Sequence, residues 1–326
     1  MFGRVAVAFA LLATLGAAPP SPPVQLPPAT ANTGFTPAAL AAACGDKEGW
    51  ADPAPPAHIY GNTWYVGTCG ITALLVTTAQ GHVLVDAGVP EAAPLVAANI
   101  EKLGFSLHDV RWIVGSHEHF DHAGGIPELK RRTGAKVAGT APWAKVMASG
   151  QPDKSDPQYD LLVQHPIEKT KVDRILHPGG KLALGDAMLT ATATPAHSPG
   201  STSWTWKACE GATCHTITYA DSTSTISADG YWFSLHPDRV AAVRLGLDRV
   251  AMLECGILIT PHPSASGLFE RMSKGLAPDP SACATYAHAA TERFAARLAK
   301  DQKLKDDMEK TIGEAVDALQ KATKKK

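Results

Sequence analysis

The chain has 326 residues, 45% of them hydrophobic, and a formal net charge of −1. That length suits one large domain or two small ones with a substantial core. The near-neutral balance offers no basic excess to attract nucleic acid and no acidic excess to suggest a solvating tail.

Met1-Phe2-Gly3-Arg4 carries one positive side chain, and Val5 to Leu15 is then apolar apart from Thr14. This reads as a secretory signal peptide, too short to serve as a transmembrane span. Cleavage after Ala18 would put Pro19 at the cut, and Ala29-Thr30-Ala31 offers a later small-x-small site. Residues 1–31 are therefore a signal and flexible leader, with disorder expected from Pro19 to Pro37. Such a signal makes the periplasm the expected location; no other segment is apolar and long enough to span a bilayer, so no stable membrane insertion is expected. Six cysteines suit an exported protein. They form three near pairs, Cys44 with Cys69, Cys209 with Cys214 and Cys255 with Cys283. Fifteen connectivities are open to six cysteines, and only Cys209–Cys214, set in a short turn, is favoured locally.

His58 to Gly67 reads as a strand, followed by strands Ile71–Thr77 and His82–Asp86 across Ala79-Gln80-Gly81. Glu91 to Leu103 has helical spacing, with Pro94 tolerated in the first turn. Val110–Val114 is a short β-branched run typical of a buried strand. Helix Ile126–Arg132, strand Lys136–Ala138 and helix Trp143–Ala148 follow, then a polar loop from Gly150 to Lys171. Leu182–Thr194 predicts a hairpin turning at Gly185-Asp186. Trp204–Trp206 and Thr216–Tyr219 pair across the Cys209/Cys214 turn. Pro237–Leu247 is a helix and Gly256–Thr260 a buried strand. Residues from about Ser281 onward are helical and increasingly charged. This order predicts two sheets packed together with helices outside. A main domain over 38–300 and a charged helical tail over 301–326 are expected; the tail, ending in Lys324-Lys325-Lys326, reads as a solvated face in preference to a weak contact with an anionic surface.

The most informative stretch is Ser116-His117-Glu118-His119-Phe120-Asp121-His122-Ala123-Gly124-Gly125. His117, His119 and His122 cannot share one face of a regular strand or helix. They make sense as a loop, starting where a strand ends, whose side chains converge on a cation. Imidazole and carboxylate suit Zn²⁺, with other first-row metals possible. A surface histidine-rich loop without metal is the bland alternative. Two further histidines follow β-rich runs and sit among prolines: His197 in Thr194-Pro195-Ala196-His197-Ser198-Pro199-Gly200, and His262 in Thr260-Pro261-His262-Pro263. Local sequence alone leaves both equally open to being polar loop residues. His58, His82, His108, His165, His177, His215, His236 and His288 lack that context and read as surface or structural.

The H-x-H-x-D-H pattern resembles the signature of the metallo-β-lactamase superfamily, with Glu118 at a non-ligand position. The resemblance runs from about Trp50 to Gly267. It implies an α/β fold, an αβ/βα sandwich of two mixed sheets flanked by helices, with the site along one edge. It lifts His197 and His262 to ligands. The sequence is most similar to the third subclass of class B β-lactamases, which implies two Zn²⁺ per chain. The first would be held by His117, His119 and His197, the second by Asp121, His122 and His262. Other subclasses place a cysteine where Ser222 stands. Ser222 and Ser224 would meet the substrate's carboxylate, or simply satisfy a turn. Asp86 would support the metal loop, and Trp50 and the Gly150–Lys171 loop would border the groove.

The implied activity is hydrolysis of the β-lactam amide of penicillins, cephalosporins and carbapenems by metal-activated hydroxide, without an acyl-enzyme. Asp121 would also orient the hydroxide, with His117, His119 and His197 polarising the centre through the first zinc. The expected partner is a small molecule and the expected state a monomer. The rival reading is a thioesterase or lactonase of the same fold, similar to glyoxalase II. Such enzymes use an aspartate after the equivalent strand to bridge two metals, and Asp221 lies one residue from that place.

Overall fold

The computed structural model describes residues 34–323. The signal-peptide segment, its cleavage sites and Lys324–Lys326 lie outside them. Helix α1 (Pro37–Cys44) starts at a proline-stiffened first turn capped by Thr36. A seven-stranded sheet then forms from β1 (Ala57–Tyr60), β2 (Thr63–Tyr65), β3 (Leu74–Thr78), β4 (Gly81–Val85), β5 (Val110–Val114), β6 (Lys136–Thr140) and β7 (Arg174–Leu176), in that spatial order. Helix α2 (Ala93–Lys102) links β4 to β5. The single helical turn α3 (Phe120–Ala123) and helix α4 (Ile126–Thr133) link β5 to β6. Helices α5 (Ala141–Ser149) and α6 (Tyr159–Leu162) precede β7. The second sheet has five strands: β8 (Lys181–Leu184), β9 (Ala187–Ala193), β10 (Thr202–Glu210), β11 (Thr213–Tyr219) and β12 (Ile257–Ile259). Helix α7 (Pro237–Ala251) leads into β12, and α8 (Leu268–Ser273) and α9 (Ala282–Thr323) close the chain.

Both sheets are mixed. β1 to β4 pair antiparallel and β4 to β7 parallel; β8 to β11 pair antiparallel and β12 joins β11 parallel. One apolar core lies between the sheets, built from residues such as Leu74, Val83 and Val85 facing Leu189, Trp204 and Ile217. A second lies between the first sheet and α2, α4 and α5. Helices α7 and α9 cover the second sheet through smaller clusters around Phe233, Val243 and Phe294, and around Val250, Leu258 and Tyr286. β3 and β4 are buried at every position, as a strand covered on both faces must be.

The two-sheet expectation is borne out, with local corrections. The stretch His58–Gly67 is not one strand but the hairpin β1–β2. Gly61 adopts φ +55 at its turn, and a Cβ there would lie 2.7 Å from the Cys209 amide nitrogen. Residues 34–37 belong to the fold instead of a disordered leader: Phe35 packs on the second core, and its carbonyl accepts the His58 N–H at 2.7 Å. α1 and the short β7 carried too little periodicity to be read from sequence. The three near cysteine pairs are the disulfides, Cys44–Cys69, Cys209–Cys214 and Cys255–Cys283. They fasten α1, the β10–β11 turn and α9 respectively. α9 passes residue 301 without a break, and Asp301 is buried, accepting from Arg297 at 2.9 Å. Among the described residues no helix is long and apolar enough to cross a membrane.

Candidate metal centre

β4 and β5 run parallel and end side by side, so Asp86 and the loop after Val114 emerge together. Asp86 takes φ +60, a left-handed conformation that an aspartate tolerates better than most residues. Its carboxylate thereby reaches three neighbours. Oδ1 accepts the Ser116 N–H at 2.6 Å, and Oδ2 accepts the Ser116 hydroxyl at 2.6 Å and the Tyr219 hydroxyl at 2.7 Å. His122 Nδ1 lies 3.5 Å from Oδ2. The loop's backbone is tied to the other sheet as well: Thr202 N–H donates to Ser116 O and Trp204 Nε1–H to Gly115 O.

From this frame the side chains converge. One nitrogen or oxygen each from His117, His119 and His197 lies within 4.8 Å of the others, and the same holds for His117, Asp121 and His122. His262 joins the second group, its Nε2 3.2 Å from both Asp121 Oδ2 and His122 Nε2. The first three imidazoles each have the outer nitrogen held. His117 Nδ1 meets Asp221 Oδ1 at 2.8 Å, His119 Nε2 meets Asp156 Oδ2 at 2.9 Å, and His197 Nδ1 donates to Ser224 O at 2.9 Å. That leaves His117 Nε2, His119 Nδ1 and His197 Nε2 facing inward. The inward His117 Nε2 is fully buried without a hydrogen-bond partner, and His119 Nδ1 and His197 Nε2 stand 3.1 Å apart. Buried nitrogens so placed fit a cation between them, and an imidazole and carboxylate donor set suits a borderline divalent ion.

The electrostatics agree. Burial pushes the His117 and His197 imidazoles well below their ordinary range, so they are neutral ligands in waiting. Burial also opposes charge on His122, but the Asp121 carboxylate outweighs it and raises the ring to about 10. Burial would raise Asp121; the imidazoles of His122 and His262 instead hold it well below the carboxylate range.

Other residues fix the loops. Glu118 points away from the centre and accepts from Ser198 Oγ at 2.8 Å and Gly200 N–H at 2.9 Å. A Cβ on Gly200 would meet its Oε2 at 2.4 Å. Burial raises this carboxyl to about 7. Arg239 donates to Pro195 O and Ala196 O, clamping the turn before His197. Thr72 N–H donates to Pro261 O, anchoring the turn before His262.

A groove of about 550 Å³ opens over the centre. Asp121, His119, His197 and His262 form its floor, Ser222 to Ser224 one wall, and Trp50, Phe120, Leu162 and Ile226 an apolar rim. Trp50 meets Phe120 edge-on at 5.4 Å. Gln158 and Leu162, the N-cap and last residue of α6, also line it; the stretch expected as a polar loop from Gly150 to Lys171 thus contains this short helix. His165 stacks on Phe120 at 4.7 Å, so this histidine supports the rim. His82 is a buried structural residue in β4.

Sequence reasoning missed Asp156, Arg239 and Tyr219 as supports. Asp156 sits in a polar loop with nothing local to distinguish it. Asp221 lies two residues past the end of β11, as the site histidines follow other strands, and that position was its one available signal. Its carboxylate turns to His117 Nδ1 and does not bridge the centre.

The family model for the metallo-beta-lactamase superfamily matches residues 66–211. Among solved structures, the metallo-beta-lactamase MIM-1 from Novosphingobium pentaromativorans is 55% identical with a TM-score of 0.79, covering 81% of this chain and 98% of its own. The subclass B3 metallo-beta-lactamase MEM-A1, from a soil metagenome library, is 41% identical with a TM-score of 0.73, covering 78% and 99%. A hydroxyacylglutathione hydrolase of Anaeromyxobacter dehalogenans (strain 2CP-C) is 30% identical over 135 residues, 41% of each chain. This chain spans less than half the length of the curated relatives it matches.

Proposed function

We infer the function from one premise: the chain belongs to the metallo-beta-lactamase superfamily and is most like its B3 β-lactamases. The protein is a zinc-dependent β-lactamase that opens the lactam amide of penicillins, cephalosporins and carbapenems. The observation that carries this reading is the donor set. Five histidines and one aspartate converge beneath a groove, and Ser222, not a cysteine, stands on its wall.

His117, His119 and His197 would hold one ion and Asp121, His122 and His262 a second. Zinc there would supply Lewis acidity, polarising a carbonyl and making hydroxide available near neutral pH. The chain's own groups do the rest. Asp221, Asp156 and the Ser224 carbonyl fix the tautomer and angle of the first three rings, as outer partners of metal-binding histidines do. Asp121, at the groove floor, orients the attacking oxygen and accepts from it. Trp50, Phe120 and Ile226 shed water from the apolar rim. Ser222 and Ser224 meet the substrate carboxylate. No serine attacks, so no acyl-enzyme forms. The disulfides suit an exported, periplasmic protein, here read as a monomer.

The rival is hydrolysis of a thioester, suggested by the hydroxyacylglutathione hydrolases. Against it stands Asp221, which is committed to His117. Zinc-loaded protein is expected to hydrolyse a penicillin, a cephalosporin and a carbapenem, with chelator and Asp121→Ala both abolishing turnover. Faster turnover of S-lactoylglutathione or an acyl-lactone than of any β-lactam would overturn the reading.

A further inference from the structure

We propose that Arg293, on α9, is the charged docking point for the substrate carboxylate and so sets specificity beside the two serines. The identity of the substrate rests on the β-lactamase reading above; the subsite itself rests on the groove.

Arg293 lines the groove together with Tyr286, two helical turns earlier on the same face of α9. The Tyr286 hydroxyl accepts the Thr223 N–H at 3.2 Å, so this face of the helix abuts the Ser222–Ser224 wall. Burial holds the Tyr286 phenol above its ordinary range, with the Thr223 hydrogen bond offsetting part of that rise. One turn on, Arg297 is spent internally on Asp301, Ser227 and the Tyr231 carbonyl. Arg293 forms no ion pair among the described residues, and apart from the imidazoles it is the groove's only basic side chain. The lone acidic group lining the groove, Asp121, is taken up by His122 and His262.

The serines alone are a modest carboxylate site. Ser224 Oγ lies 3.0 Å from His197 Nδ1, and Ser222 Oγ accepts the Ser224 N–H at 3.3 Å. Each hydroxyl has one proton to give and no charge. A β-lactam carries a carboxylate on the carbon next to the lactam nitrogen. With the amide over the floor, that carboxylate projects to a wall, and a guanidinium fork matches it in charge and shape.

The test pairs a charged ligand with its neutral ester, using the zinc-loaded full chain and Arg293→Ala and Arg293→Lys. Benzylpenicillin and its methyl ester report KM and kcat. N-(mercaptoacetyl)proline and its methyl ester report equilibrium binding without turnover. Arg293→Ala is expected to raise KM for the acid by about fivefold to tenfold, with a smaller change in kcat, as befits a partly exposed charge contact. The acid-to-ester preference then falls toward one in both assays, while lysine retains part of it. Added salt compresses the wild-type preference. Equal effects on acid and ester, or none on either, would overturn the proposal. Absence of penicillin turnover, with an Arg293-dependent preference for the thiol acid intact, would sink the antibiotic reading and leave the subsite standing. Penicillin turnover with a preference indifferent to Arg293 would sink the subsite alone.

Discussion

The two sheets serve the centre in opposite ways. The first delivers His117, His119, Asp121 and His122 from one contiguous segment after β5, a loop that runs straight into the helical turn α3. The second delivers His197 and His262 singly, from proline-framed turns after β9 and β12. The crowded loop is not self-sufficient. Its first imidazole is aimed by Asp221, its backbone is held by Thr202 and Trp204, and Glu118 closes on Ser198 and Gly200. Each sheet therefore orients ligands that belong to the other. The rings around His117 are buried and partnered on their outer nitrogens, whereas His262 remains 32% exposed and touches mainly its fellow donors. The lesson is that donor density comes from one segment but donor geometry comes from the contact between sheets.

That contrast can be broken first at His197. His197→Ala should cut β-lactam turnover by more than the ~100-fold typical of losing a supporting group, because an inner donor goes and not its brace. Residual activity within tenfold of wild type would count against the first ligand trio. The next effect is on stability and isolates the first sheet from the site. His82 is enclosed with neither ring nitrogen partnered, and burial lowers it to about 4. Folded, the ring is neutral at pH 7; unfolded, it takes a proton near 6.5. Its contribution is thus complete above pH 6.5 and is lost as pH falls toward 4, by about 3 kcal/mol in all. Urea unfolding of metal-free protein should follow that limb, and His82→Phe should flatten it. An unchanged slope in the variant would refute the assignment.

Asp221→Asn sharpens the comparison between sheets. It keeps the shape but weakens the acceptor on His117, and zinc affinity should drop by about 10- to 100-fold with the fold intact. A competitive chelator titration reads this directly; no change would mean that the second sheet does not tune the first. The smallest effect is expected at Tyr219→Phe, which removes the hydroxyl donated to Asp86. About 1.5 kcal/mol of stability should go, since the acceptor is charged and buried. A loss no larger than for an exposed tyrosine would show Asp86 to be satisfied without it.

The run from His117 to His122 is legible because its chemistry is contiguous and begins where a β-branched strand stops. His197 and His262 are less so: each is one histidine between prolines, and only family resemblance separates it from a loop residue. The strand pairs around Gly185-Asp186 and Cys209–Cys214 are legible because turn and alternation coincide. The break at Gly61 is not, since the residues on both sides of it have strand character. Asp156, Arg239 and Arg293 left no trace, being ordinary polar residues in ordinary surroundings.

By itself, then, the chain's order of residues determined the kinds of donor, their spacing in the crowded loop, the alternation of strands and helices and the supply of cysteines. Those properties are local, set by side-chain chemistry and by periods of two or 3.6 residues. Only the packed structure decided which nitrogen of each imidazole faces inward, which carboxylates stand behind them and which wall the groove presents to a ligand. These depend on contacts between residues such as His117 and Asp221, far apart in the chain, which gain their energy only once two sheets have closed over a common core and excluded water.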